Sequence, residues 1–307
     1  MGKGWKGLIW LLKILVPISF ATALLVHFGI IYKLDFLLTP AMNILSLPAS
    51  AALPLIIGLL TGIYGAVAAL AVMPFSMEHM TLIAIFLLIS HNLIQESIVQ
   101  GKSGINPFFA AFFRLLVSFI VTFICAKIMG ITPEMIAADT VKNITHNNQA
   151  FLPMFQTWSI AIIKLGLQIF CIIMPLMVVL ELAKEFNFIV YLTKMIAPVL
   201  KIMGLDRSTG MLWLTASVFG LAYGSAVIVE ETKSNNFSKE ELTRLHLSIG
   251  INHAMIEDPA LFLPLGLPVV WLWIPRIVAA MIATYLYHLF TLTKRLNAER
   301  VVNKEFL

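Results

Sequence analysis

Two short stretches of this chain place imidazole, carboxamide and carboxylate groups inside otherwise apolar surroundings. They are Ser90-His91-Asn92-Leu93-Ile94-Gln95-Glu96-Ser97 and Asn252-His253-Ala254-Met255-Ile256-Glu257-Asp258-Pro259. Imidazole titrates near neutral pH and a desolvated carboxylate is pushed up towards it, so such a set can relay protons. His91, Asn92, Gln95, Glu96, Asn252, His253, Glu257 and Asp258 are therefore the candidate residues for binding a small solute or an ion. The same donors suit a divalent metal such as zinc or iron, for which His91, His253, Glu257 and Asp258 would be the ligands. On a continuous helix, His91 with Gln95 and His253 with Glu257 share one face, being four apart. The simpler reading is that each histidine and its acid satisfy one another between helices.

Two arginines accompany these stretches, in Phe113-Arg114 and Pro275-Arg276. They can neutralise Glu96 and Asp258, grip an anionic group with two hydrogen bonds, or snorkel to the membrane surface. A third signal is a run of small residues, Gly58, Gly62 and Gly65, matched by Gly220, Gly224 and Ser225. Small residues at a spacing of four let helices touch closely. Glycine at mid-membrane depth also permits an unwound segment whose free backbone groups bind a solute. The sequence carries no phosphate loop, HExxH, GxSxG or paired-cysteine metal motif. An enzyme is not expected, no cofactor is required, and a divalent metal stays a candidate.

The setting for these groups follows from composition. Of 307 residues, 60% are hydrophobic and only 12% charged, where a soluble domain carries about a quarter. Mean hydropathy is +0.92. The chain reads as an all-α polytopic membrane protein whose first partner is the lipid bilayer. A charged or imidazole group at membrane depth costs about 3 kcal/mol on insertion scales, which makes the residues above functional candidates by default. The net charge of +5 does not point to nucleic acid, because Lys and Arg fall at the ends of apolar segments, as in the positive-inside pattern. Residues 1–28 mimic a signal peptide; the apolar run continues to Phe28 and has a counterpart in the second half, so it is read as uncleaved. Cys125 and Cys171 lie within apolar runs and read as small hydrophobes.

The chain also matches itself. His91, Glu96, Gly104 and Arg114 correspond to His253, Asp258, Gly266 and Arg276, each 162 positions on, and Pro17 and Pro40 correspond to Pro175 and Pro198, 158 positions on. The expected organisation is a first membrane repeat over 1–128, a polar linker with a short surface helix over 129–157, a second repeat over 158–293 and a basic tail over 294–307. Each repeat offers about five helical segments, of which the second (33–47 and 186–203) is short and carries a central proline that should kink or break it. Whether those segments cross or re-enter decides whether the repeats are inverted or parallel. The distribution of Lys and Arg favours the inverted arrangement, in the inner membrane, with both termini cytoplasmic.

The glycine-rich Phe219-Gly220-Leu221-Ala222-Tyr223-Gly224-Ser225 followed by Asn252-His253 and Glu257-Asp258, in two copies over 8–128 and 158–292, resembles the nucleoside recognition family, also called Gate-domain membrane proteins. Relatives of that domain occur in spore maturation proteins A and B and in the membrane part of ferrous iron transport protein B. The resemblance implies a gated, transporter-like fold with inverted repeats, and the symmetric pairing of histidines with carboxylates adds the expectation of a small polar or charged solute moved through a midplane site, coupled to protons or another cation. It leaves nucleosides unproven as the substrate, and a homo-oligomer open. The alternatives are a divalent-metal permease or accessory, and a non-transporting membrane scaffold. The two half-sites differ, since Gln95-Glu96-Ser97 stands where the second copy has Glu257-Asp258-Pro259. A proline after Asp258 predicts a bend there and a continuous helix past Glu96, making the second copy the moving, substrate-facing half.

Overall fold

The computed structural model describes residues 2–30, 35–132, 135, 150–186, 188–205, 207–234 and 237–305. Among these the chain is all-α, with no strand. In chain order the helices are α1 (Gly2–His27), α2 (Asp35–Ile44), α3 (Ala52–Thr61), α4 (Ile63–Leu70), α5 (Met77–Ser90), α6 (Leu93–Lys102), α7 (Pro107–Ile128), α8 (Phe151–Glu185), α9 (Phe188–Met195), α10 (Ala197–Ile202), α11 (Arg207–Phe219), α12 (Leu221–Ser234), α13 (Lys239–Asn252), α14 (Glu257–Ala260) and α15 (Val269–Glu305).

Four stretches of the described residues are long and apolar enough to cross a bilayer: Met77–Lys102, Pro107–Ile128, Phe151–Ala183 and Val269–Lys294. A fifth candidate is the pair Leu37–Ile44 and Ala49–Thr61, bent by 85°. Much of their outer surface is apolar and exposed, as at Phe108, Phe112, Ile160, Ile163, Val270 and Phe290, where only hydrocarbon is a favourable neighbour.

Helix ends fall where local chemistry sets them. Ser76 caps α5 by accepting from the His79 N–H at 3.3 Å. Ser238 and Glu241 form a capping box at the start of α13, with Ser238 N–H donating to Glu241 Oε2 at 2.8 Å and Glu241 N–H to Ser238 Oγ at 3.2 Å. The two short proline-bearing segments differ. Pro40 lies inside α2, and the chain turns after it, at Ser46 (φ 55°). Pro198 opens α10, after a break at Ile196, where its missing N–H costs nothing. Of the linker helix only Thr132 and Met135 belong to the described residues, and the Met135 N–H donates to the Thr132 carbonyl at 3.1 Å; the Asn-rich stretch lies outside them. The second half's first helix begins at Phe151 rather than 158, and α15 runs on through most of the expected tail.

The chain forms two compact units. The first comprises Met1–Gln95, Arg114–Val179 and Ile256–Pro275; the second comprises Glu96–Phe113, Leu180–Met255 and Arg276–Leu307. Residues 96–113 of the first half are thus built into the second unit, and 256–275 of the second half into the first.

The central interruptions are glycines. Gly62 (φ 92°) separates α3 from α4, and Gly220 (φ 84°) separates α11 from α12. These angles are open to glycine and costly to residues with a Cβ. Gly65 and Gly224 play the other part foreseen for small residues: a Cβ on Gly224 would lie 2.5 Å from the Ala216 Cα, and one on Gly65 2.9 Å from Ile57. At Gly220 a Cβ would meet only the Ala254 methyl, at 3.7 Å, so a substitution there is penalised by backbone angle alone. We expect Gly220→Ala to lower unfolding stability in detergent by about 1–2 kcal/mol and Ala254→Gly, which relieves a left-handed alanine (φ 44°), to raise it by about 1 kcal/mol; thermal unfolding of the two variants checks both signs.

Candidate functional site

In the first unit α5 ends at Ser90, and His91 leaves the helix in extended conformation (φ −59°, ψ 159°). Asn92 then takes a left-handed turn (φ 47°), which a short polar side chain tolerates, and α6 restarts at Leu93. The turn is stitched to the other broken helix of the unit, since the Asn92 N–H donates to the Gly58 carbonyl at 2.9 Å. Asn92 Nδ2 donates to Gln95 Oε1 at 3.3 Å. The expectation that His91 and Gln95 share one helix face is therefore corrected, because the helix is interrupted between them.

Ending a helix exposes carbonyls with no partner in the helix. Arg114, fully buried on α7, supplies donors: its Nε bonds the Ile89 carbonyl and its Nη2 the His91 carbonyl, both at 2.9 Å. A cation is also favoured at a helix C-terminus by the helix dipole. Snorkelling is overturned by this burial. The histidine ring turns back, its Nδ1 lying 2.9 Å from the Leu87 carbonyl and its Nε2 3.5 Å from Asp258 Oδ2. Tyr64 of α4 adds a hydroxyl that donates to Glu257 Oε1 at 3.0 Å.

The second unit repeats this construction 162 positions on. α13 ends at Asn252, His253 is extended (φ −78°, ψ 160°), and Ala254 is left-handed. The Ala254 and Met255 N–H groups donate to the Ala216 and Ser217 carbonyls at 3.2 and 2.6 Å. Arg276, also fully buried, donates from Nε to the Ile251 carbonyl at 3.0 Å and from Nη2 to the His253 carbonyl at 2.8 Å. His253 Nδ1 lies 3.0 Å from the Ile249 carbonyl and its Nε2 3.1 Å from Glu96 Oε2. Here too the break falls between His253 and Glu257, so the shared-face expectation fails again. Asn252 is buried beside it; Ser225 is buried on α12; the side chain of Tyr223, the counterpart of Tyr64, lies outside the described residues.

Each histidine thus pairs with the acid of the other half of the chain. A carbonyl can only accept, so Nδ1 of each ring carries a proton and donates it. Nε2 of each ring faces that carboxylate, at 3.5 Å in the first unit and 3.1 Å in the second, and makes an ion pair with it when the ring is protonated. The bend expected at Asp258 is also corrected: both halves break at the histidine, and Pro259 lies in the first turn of α14, where proline is accepted. Nothing around Tyr64 in the sequence signals a role; its contact with Glu257 shows one.

The helices and the buried half-sites define a polytopic helical membrane protein. The chain is 27% identical over 275 residues, 89% of its own length and 87% of the relative's, to a Bacillus subtilis (strain 168) protein described as the uncharacterized membrane protein YvoD. No family model matches the chain, and no solved structure matches it.

Lysine cannot bridge two carbonyls as a guanidinium does. Hydrogen bonds from a charged donor contribute about 1.5–3 kcal/mol each. We expect Arg276→Lys and Arg114→Lys each to lower stability by about 2–4 kcal/mol, measured by chemical denaturation in mild detergent, whereas a surface control such as Lys102→Arg changes it by less than about 0.5 kcal/mol.

Proposed function

We propose that this protein is a membrane transporter of two inverted repeats, moving a small polar or charged solute, nucleoside-like or ionic, in exchange for or together with protons. The observation that carries the reading is the pair of half-sites, each with two interrupted helices stitched together by backbone hydrogen bonds and a buried histidine facing a carboxylate. Interrupted helices near mid-membrane are how transporters offer backbone groups to a solute while keeping irregular backbone away from lipid. The Gate-domain resemblance points the same way, and the Lys and Arg distribution supports an inner-membrane protein with cytoplasmic termini.

A divalent metal is the second reading of the solute. It is favoured by the ring orientation, since a histidine whose Nδ1–H is held by a carbonyl presents Nε2 as a ligand, with a carboxylate beside it in each half. No enzyme activity is proposed.

The test is uptake by liposomes holding the purified full chain under an imposed pH gradient, across nucleosides, organic anions and divalent metals, with elemental analysis of the protein alongside. We expect uptake of one class to follow the gradient and to fall at least tenfold in Glu96→Gln and in Asp258→Asn at matched incorporation. Bound iron, zinc or manganese would assign the metal reading. No gradient-driven uptake of any class, with His91→Ala and His253→Ala lowering only stability, would leave a scaffold.

A further inference from the structure

The two half-sites differ in what lies beyond them. In the second unit α6 and α13 run antiparallel: Glu96 faces His253, and seven residues along each helix the Ser103 carbonyl faces His246, whose Nε2 donates to it at 2.8 Å. Seven helical residues span about 10 Å. Between these contacts lie Ser97 and Gln100, and Gln100 Nε2 donates to the His246 carbonyl at 3.1 Å. Ser97, Gln100 and His246 are all at most 3% exposed. The matching positions in the first unit are Pro259, Phe262, Leu265 for Ser103, and Ala84 for His246, so the same layer there is hydrocarbon.

The polar layer is short of donors. With Nε2–H given to Ser103, neutral His246 presents an acceptor lone pair at Nδ1; Gln100 presents Oε1, and Ser97 its hydroxyl. None of these three atoms has a protein partner among the described residues. A buried acceptor left unmatched is costly, and the small ligand that brings donors to such atoms is water, or water carrying a proton. The charged or titratable groups with described side chains on helices touching α13 are Glu96 and Lys102 on α6, and Arg276, Tyr285, Tyr287, His288 and Lys294 on α15; the described side chains of α11 include none. On α13 itself Arg244 is turned away, to the Gly204 carbonyl and His288.

We propose that the second unit holds a one-sided, water-linked proton path in which His246 passes protons between the end of α13 near Ser238 and the Glu96–His253 pair. His246 takes a proton at Nδ1 to become imidazolium. It gives that proton through water to the Glu96 carboxylate, which becomes the acid, and neutral His246 returns. The hydrocarbon layer of the first unit offers its half-site no such route, so protons reach the two half-sites differently. This deepens the transport reading by assigning the coupling ion and its path.

The test uses the full chain with Cys125 and Cys171 replaced by alanine, reconstituted in liposomes. Single cysteines at Ser97, Gln100, Pro259 and Phe262 are exposed to a small, membrane-impermeant thiol reagent from one face at a time. We expect Ser97→Cys and Gln100→Cys to react at least ten times faster than Pro259→Cys and Phe262→Cys, and from one face only. Equal protection at all four positions, or equal reaction from both faces, overturns the path. Proton entry into the same liposomes, followed by a trapped pH dye under a potassium diffusion potential, should slow at least tenfold in His246→Gln. An unchanged rate, or no entry with the unsubstituted chain, overturns the role in proton transfer. Labelling needs no transported solute: if it succeeds while no solute flux is found, the transport reading fails and the water path stands.

Discussion

A helix that stops inside a low-dielectric interior leaves carbonyl groups that must be paired, and in this protein that requirement organises the centre of both units. These ends are buried, so their partners come from the fold. Arg114 and Arg276 meet the need with two donors each, aimed at the carbonyl two residues before the histidine and at that of the histidine itself. The guanidinium brings the right charge for a helix C-terminus and the right fork for two carbonyls. Because those carbonyls are held, the histidine can leave the helix and still keep its Nδ1 anchored one turn back.

Each half-site joins a histidine to an acid: Nδ1 donates to a carbonyl one turn back, and Nε2 faces the carboxylate. An acid drawn from the other half of the chain meets each histidine, through residues 96–113 in one unit and 256–275 in the other. The exchange makes the two halves of the chain interdependent: neither holds both members of a pair. Left-handed Asn92 and Ala254, with Gly62 and Gly220 on the neighbouring helices, supply the backbone angles that bring the breaks together.

The halves are alike in backbone and unlike in chemistry. Tyr64 braces Glu257 in the first unit, whereas the second continues its polar face through Ser97 and Gln100 to His246. The same layer is thus polar in the second unit and hydrocarbon in the first, where Pro259 and Phe262 stand in place of Ser97 and Gln100.

Class and ingredients were legible in the chain alone: scarcity of charge fixed the membrane as solvent, the 162-residue offset marked His91, Glu96 and Arg114 with their partners, the small-residue runs marked the helix breaks, and Ser238 with Glu241 marked a helix start. These are readable because hydrophobicity, capping and glycine conformation act within a turn or two of the chain. Three features emerged only in three dimensions: which acid meets which histidine, that the arginines serve carbonyls, and that His91 and His253 end their helices. Local pattern argued for continuous helices there, since neither Asn92 nor Ala254 signals a break. The cause lies on other helices: α3 and α11 supply carbonyls to the turn, and α7 and α15 supply the guanidinium. For the same reason Gln100 and His246 drew no notice, lying 146 residues apart and becoming one layer only when α6 lies along α13.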